Sequence, residues 1–290
     1  MDKFLTKRKL KKLLIDENLN IKKYLGQHFL VDRNARNKLL SFAGIEKEDI
    51  IFEIGPGLGA LTEYLIEKAK KVYAFEIDPD FCRILKKRFG DKKNFHLLET
   101  DFLETNQDFW DEFEKIKVIG NTPYYLSTPI VLHILKFYKK VKLALLTVQK
   151  EVGEKFVAKS GSKNYGPVSV LLSLYTESKI CYFLKKDVFF PKPEVESVTV
   201  KIVPLKEPKI EVEKGFWEFL PLIFSYRRKK LTNVINKVFK KEKKDITKLV
   251  EEIGIDSNRR VEELSPEKIY QLYKKLTIKR GEENGNVDRS

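Results

Sequence analysis

Two cysteines, one methionine, two tryptophans and three histidines are all that this 290-residue chain holds of those types. No apolar run approaches the ~20 residues a membrane-spanning helix needs. Cys82 and Cys181 fall far apart, in separate elements, so a disulfide scaffold is excluded. The histidines offer no metal site: His96 sits inside an apolar strand pattern and His133 inside a helical one, where both read as satisfied structural histidines. No metal is expected. The N-terminus also lacks the apolar segment of a signal peptide, so the expectation is a cytoplasmic, monomeric chain without a membrane partner.

Acid is scarce as well. Against 57 Lys and Arg stand 42 Asp and Glu, a formal charge of +15, with a pI near 9.4. Such a balance favours phosphate backbones through counterion release. The charge is uneven. Lys3, Lys7, Arg8, Lys9, Lys11 and Lys12 make a basic N-terminal arm over residues 1–25, which reads equally as an RNA contact or a solvated tail. Farther on, Tyr226 precedes Arg227, Arg228, Lys229 and Lys230, where an aromatic beside clustered charge offers RNA both stacking and phosphate contact.

Strand-like runs at 50–54, 71–75, 94–98, 116–120 and 141–148 alternate with helical stretches, the pattern of a doubly wound parallel sheet with right-handed crossovers. Residues 195–203 alternate as a late antiparallel strand. After Pro204 and Pro208 the pattern turns helical. The expected division is a catalytic domain over 26–204, a small helical RNA-contacting domain over 205–278 and a polar, disordered tail over 279–290.

The first strand, Ile50 to Ile54, runs into Gly55-Pro56-Gly57-Leu58-Gly59-Ala60, a turn whose glycines let the backbone approach a ligand closely. Glu76 ends the next strand about 20 residues on, the spacing at which a carboxylate grips ribose hydroxyls. Gly55-x-Gly57-x-x-Ala60 also satisfies a relaxed dinucleotide fingerprint, so the turn by itself leaves a dehydrogenase open. Downstream residues favour S-adenosylmethionine. Asp101 follows the third strand, placed to accept from an adenine amino group, and Asn121-Thr122-Pro123-Tyr124 follows the fourth. The exocyclic nitrogen of adenine is a poor nucleophile because its lone pair is delocalised into the ring. The Asn121 side-chain oxygen and the Thr122 carbonyl can accept both of its N–H groups, Pro123 stiffens the turn, and Tyr124 offers a stacking face.

Tyr24 to Leu30 (Tyr-Leu-Gly-Gln-His-Phe-Leu), Glu53 to Gly59, Asn121 to Tyr124 and Phe189 to Ser197 occur in one order, and from about Tyr24 to about Leu276 the chain resembles the KsgA family of small-subunit rRNA adenine dimethyltransferases. The resemblance implies a Rossmann-like methyltransferase sheet with a small C-terminal helical domain. It also implies dimethylation of two neighbouring adenines near the small-subunit (16S) rRNA 3′ end, with the rRNA in an assembling subunit as partner. By resemblance, His28, Leu30, Gly55, Glu76, Asp101 and Asn121 hold S-adenosylmethionine, and Tyr124 and Phe189 stack the extruded base. Members often carry Leu where Thr122 stands and a polar residue at Tyr125. Three alternatives stay open on the residues: the large-subunit, macrolide-resistance type of rRNA methylase, a DNA adenine methyltransferase, and a non-catalytic assembly or transcription factor. The DNA reading lacks a duplex-recognition domain, and the intact Asn121–Tyr124 clamp argues against the last.

Overall fold

A computed structural model describes residues 4–21 and 27–285, with side chains through 277. Tyr24, Leu25 and Gly26 of the first motif, and Lys3 of the basic arm, lie outside the described residues.

The chain divides into two units, residues 1–156 with 176–206, and residues 157–175 with 207–290. In the first, α1 (Lys7–Asp16), β1 (Phe29–Leu30) and α2 (Arg33–Ser41) precede alternating strands and helices. These are β2 (Ile50–Ile54), α3 (Thr62–Lys68), β3 (Lys71–Phe75), α4 (Pro79–Phe89), β4 (Phe95–Leu98), α5 (Gln107–Asp111), β5 (Ile116–Asn121), α6 (Ser127–Lys136), β6 (Val141–Gln149) and α7 (Lys150–Phe156). The second unit takes α8 (Pro167–Tyr175), and the first resumes with β7 (Thr176–Leu184), β8 (Phe189–Phe190) and β9 (Ser197–Pro204). The second unit is completed by α9 (Lys214–Phe224), α10 (Leu231–Phe239), α11 (Lys243–Glu252) and α12 (Pro266–Gly285).

Seven strands form one sheet in the order β4-β3-β2-β5-β6-β9-β7. β4 to β6 are parallel, and β9 pairs antiparallel with both β6 and β7. The strands are apolar on both faces because helices cover both: Ile51, Phe52, Val72, Ala74, Val118 and Ile119 are buried. On one face Phe52 gathers Tyr73, Phe75, Phe109, Trp110 and Phe113, its ring 4.9 Å from that of Phe113 and edge-on to it. The chain order reverses across β2, between β3 and β5, and in open α/β sheets a crevice opens at such a switch, beyond the strands' carboxyl ends.

Three sequence expectations are corrected, and one that was open, the state of the basic arm, is narrowed. Residues 157–175 belong with the C-terminal helices and not with the catalytic domain, because α8 carries Val170, Leu171, Leu172 and Leu174, all buried in that unit's helical core. The basic arm is not a loose tail: Thr6 caps α1, and Leu10 packs with Leu19, Phe29, Leu58, Phe81 and Ile84. The expected tail is helical to Gly285, with 286–290 outside the described residues. His96 stacks on Tyr73 at 4.8 Å, yet its Nε2 has no partner among the described residues. His133, by contrast, bonds Thr105 through Nε2 at 2.8 Å, and burial pushes its pKa down to about 4.

Candidate active site

β2 ends in a turn at which Gly55, Gly57 and Gly59 all take positive φ, +63°, +56° and +84°. At Gly59 a side chain is excluded twice over, since a Cβ would also meet the Phe89 ring at 2.4 Å. Behind the turn, Arg88 donates to the Leu58 carbonyl. Beneath it lies Glu53, fully buried and without a hydrogen-bond partner among the described residues. Burial pushes its pKa up to about 8, and the Glu76 charge adds to the rise.

Glu76 ends β3 at the lip of the same turn and is 6% exposed. One oxygen accepts from the Gly57 N–H at 3.0 Å, the other from Ile77 and Asp78, both at 3.0 Å. Desolvation raises its pKa, and the three amides oppose that rise. Those bonds fix the carboxylate against the cleft, and ionised oxygens can accept further donors. Ile77, half exposed, lines the cleft beside it. Gln27, His28, Phe29, Leu30, Gly55, Pro56, Phe81, Asn121, Pro123 and Tyr125 are among the other residues that line it.

Asn121 is the last residue of β5. Its Nδ2 donates to the His28 carbonyl at 2.8 Å, and only the amide nitrogen can make that bond, so the bond assigns Oδ1 to the open side. The next carbonyls are sorted by the turn itself: that of Pro123 accepts from the Leu126 N–H, and that of Tyr124 from the Ser127 hydroxyl and N–H. Among the described residues no donor takes the Thr122 carbonyl. Two acceptors therefore remain on one turn, the pair an amino group requires. Thr122 is itself held by its hydroxyl, which donates to the Thr147 carbonyl at 3.1 Å and lies 3.2 Å from Ser127 Oγ.

Tyr124 is anchored at its far end, where its hydroxyl meets Ser197 Oγ at 2.7 Å. Burial raises the phenol's pKa and the Ser197 bond lowers it in part. Its ring stacks with His28 at 5.4 Å, and the Nδ1 of His28 lies 2.9 Å from the Pro191 carbonyl, so Nδ1 carries the proton. A second hollow opens there, lined by Gln27, His28, Tyr124, Gln149, Pro191, Lys192, Glu194 and Val195. It shares Gln27 and His28 with the first cleft.

Not every expected site residue is in the cleft. Phe189 is 3% exposed and packs into the core beside Leu30, its partner across the β1–β8 pair. Pairing antiparallel with β1 turns Phe189 inward and leaves Phe190 at the rim, so the partner facing Tyr124 is His28. Asp101 accepts from the Leu103 N–H at 2.9 Å as a cap and lines neither cavity. In the second unit, Arg227 is spent internally, on the Lys163 and Tyr165 carbonyls and Glu262, and Lys230 donates to Asn258. Arg228 and Lys229 are exposed. Sequence reasoning missed Ile77, Gln149 and Ser197, and it had singled out Tyr125, which lines the cleft. Gln149 could have been found from its place at the end of β6. No group of three potential metal ligands occurs among the described residues.

A strand-end carboxylate beside an apolar shelf fits a nucleoside, and the turn at Asn121 fits an amine. Together they fit S-adenosylmethionine, and the architecture is that of a Rossmann-like methyltransferase. A model of the family described as ribosomal RNA adenine dimethylase matches residues 18–277. The "Ribosomal RNA small subunit methyltransferase A" of Bacillus cytotoxicus is 36% identical over 277 residues, covering 92% of this chain and 95% of that protein. The protein of the same name from Clostridium acetobutylicum is 37% identical over 258 residues, 88% and 93% of the two chains. A dimethyladenosine transferase from Plasmodium falciparum superposes with a TM-score of 0.70 at 25% identity, over 83% of this chain and 94% of that one. The 23S rRNA methyltransferase ErmE, at 22% identity and a TM-score of 0.64, shares the fold over 86% and 99%. The chain belongs to the ribosomal RNA adenine dimethylase family.

Proposed function

We propose that this chain transfers methyl groups from S-adenosylmethionine to the N6 amino group of two adjacent adenines near the 3′ end of small-subunit rRNA, in the cytoplasm where subunits assemble. The observation that carries the chemistry is the 2.8 Å bond from Asn121 Nδ2 to the His28 carbonyl, which leaves Oδ1 and the Thr122 carbonyl as paired acceptors. Family membership supplies the substrate class.

The cofactor supplies the electrophilic methyl carbon. His28, Leu30, Gly55, Glu76 and Asn121 line the cleft that would hold it, and Glu76 is placed for the ribose. The adenine, swung out of its helix, enters the hollow beside Tyr124 and stacks on that ring; such a stack contributes on the order of 1–3 kcal/mol against the cost of unstacking. Asn121 Oδ1 and the Thr122 carbonyl accept the two amine hydrogens, drawing the nitrogen toward a tetrahedral geometry with its lone pair free. Pro123 holds the two carbonyls in one orientation. As positive charge grows on the nitrogen, both acceptors strengthen their hold, so the turn favours the transition state over the bound base. The first transfer leaves a methylated ammonium, which gives up one proton to solvent while the spent cofactor exchanges for a fresh one; the single remaining N–H is then held by Asn121, and the second transfer proceeds on the same turn. RNA phosphates are held by the exposed Arg228 and Lys229 of the helical unit.

Incubation with labelled cofactor and under-methylated small and large subunits, followed by mapping of the labelled nucleotides, tests this. Dimethyladenosine at two neighbouring positions of small-subunit RNA is expected; label confined to large-subunit RNA, or a product that stops at one methyl, overturns the assignment. For the cofactor, Glu76→Ala is expected to weaken binding by about 1.5–3 kcal/mol, measurable by calorimetry.

A further inference from the structure

The basic N-terminal helix has a fixed position, packed against Phe190, the residue next to one that lines the base hollow. Leu10, Leu13 and Leu14 form the stripe that seats α1 on Phe29, Leu58 and Phe81, two of which line the cofactor cleft. Just past its C-terminus, Glu17 ties the helix to α4 through Arg83 at 2.6 Å and Lys87 at 2.5 Å. One turn apart on the helix, Lys7 and Lys11 hold their ammonium groups 5.7 and 5.3 Å from the centre of the Phe190 ring. Phe190 precedes Pro191, whose carbonyl takes the His28 ring and which lines the hollow beside Tyr124. Next to those lysines around the helix stand Arg8 and Lys12, again one turn apart, both exposed and neither in an ion pair among the described residues. Within α1 five cations meet one acid, Asp16.

We propose that the outer face of α1, through Arg8 and Lys12, is a phosphate-binding rail for the RNA strand whose target base enters the hollow at Tyr124. The inference rests on the RNA-methylating reading above and adds a second, separate point of contact within the catalytic unit. A solvated lysine-rich helix needs no anchorage. This one is held by an apolar stripe, a doubly paired Glu17 and two contacts on Phe190, so its free charges keep a fixed bearing on the pocket rim, and a backbone passing over them is aligned as well as attracted. Lys7 and Lys11 hold the rim and Arg8 and Lys12 hold the strand.

The test uses the full chain with Arg8→Gln and Lys12→Gln together, and the parent beside it. Binding to an under-methylated small-subunit RNA fragment is titrated across salt concentrations, with the Michaelis constant for that RNA, the affinity for S-adenosylhomocysteine and Tm measured in parallel. Loss of two phosphate contacts is expected to reduce the slope of log affinity against log salt by about 1.4, at about 0.7 per contact on single-stranded RNA. KM for RNA rises several-fold, while cofactor affinity and Tm stay at parental values. A variant with parental slope and parental KM overturns the rail. A parent that neither binds nor methylates the RNA overturns instead the functional reading beneath it. Arg8→Glu with Lys12→Glu must enlarge the same two effects, and a reversal that leaves them unchanged also overturns the rail.

Discussion

Asn121 has two duties that a single amide can perform and no isosteric side chain can. Its Nδ2 donates to the His28 carbonyl at 2.8 Å, and its Oδ1 faces the cleft. Asn121→Ala removes both. The lost contact to the reacting amine is charge-assisted in the transition state and contributes about 1.5–3 kcal/mol, and the unpaired His28 carbonyl adds about 1. The carbonyl is unpaired in the ground and transition states alike, so only the first term enters the barrier, and a loss of roughly 10- to 10²-fold in rate is expected. Asn121→Asp is the sharper variant, since it preserves shape and one acceptor but sets a second oxygen against the His28 carbonyl, where two acceptors repel. It too is expected to lose rate, by at least tenfold. The assay is a single-turnover methylation with saturating cofactor and RNA, so that binding does not enter, with RNA affinity measured separately and expected to change little. Parental single-turnover rates in Asn121→Ala would refute the clamp and make the residue structural; an Asn121→Asp protein as fast as the parent would refute the orienting role of His28.

The Tyr124–Ser197 bond, 2.7 Å long and made by a serine 1% exposed, predicts non-additivity: Tyr124→Phe leaves the buried Ser197 hydroxyl unpaired and costs about 1–3 kcal/mol of stability, Ser197→Ala leaves the part-buried Tyr124 hydroxyl and costs less, and the pair together costs less than the sum, as a denaturant double-mutant cycle reads. Glu53 makes stability pH-dependent. Its folded pKa is raised to about 8 from 4.5, so the fold binds a proton the unfolded chain has released, and the contribution present below about pH 4.5 is lost as pH rises through 8, on the order of 5 kcal/mol in all. Glu53→Gln flattens that slope in denaturation curves taken between pH 5 and 9. In the helical unit, Arg227→Gln is expected to lower Tm, because two carbonyls and Glu262 lose their donor, whereas Arg228→Gln with Lys229→Gln leaves Tm alone and reduces the salt dependence of RNA binding. Identical Tm values for the two variants would contradict this division of labour.

Periodicity and composition determined much by themselves. Apolar runs, broken only by Glu53 and opened by Lys71, specified strands at 50–54 and 71–75 to the residue, because a strand covered on both faces is predominantly apolar. Gly55, Gly57 and Gly59 announced a turn of positive φ, and Asn-Thr-Pro-Tyr announced a pair of acceptors, since both follow from local covalent geometry. Tertiary structure decided what depends on partners distant in sequence. Which atom of the Asn121 amide, oxygen or nitrogen, faces the cleft is set by a carbonyl 93 residues away, and Tyr124 is fixed by a serine 73 residues on. Phe189 and Phe190 are indistinguishable as letters; antiparallel register with β1 sends the first into the core and leaves the second at the rim beneath Lys7 and Lys11. Arg227 and Arg228 likewise differ only in what the fold brings near them, two carbonyls and a carboxylate in one case and water in the other. A residue's type limits what bonds it can make, but the fold's long-range contacts choose which of those bonds are already taken and which stay open to a substrate.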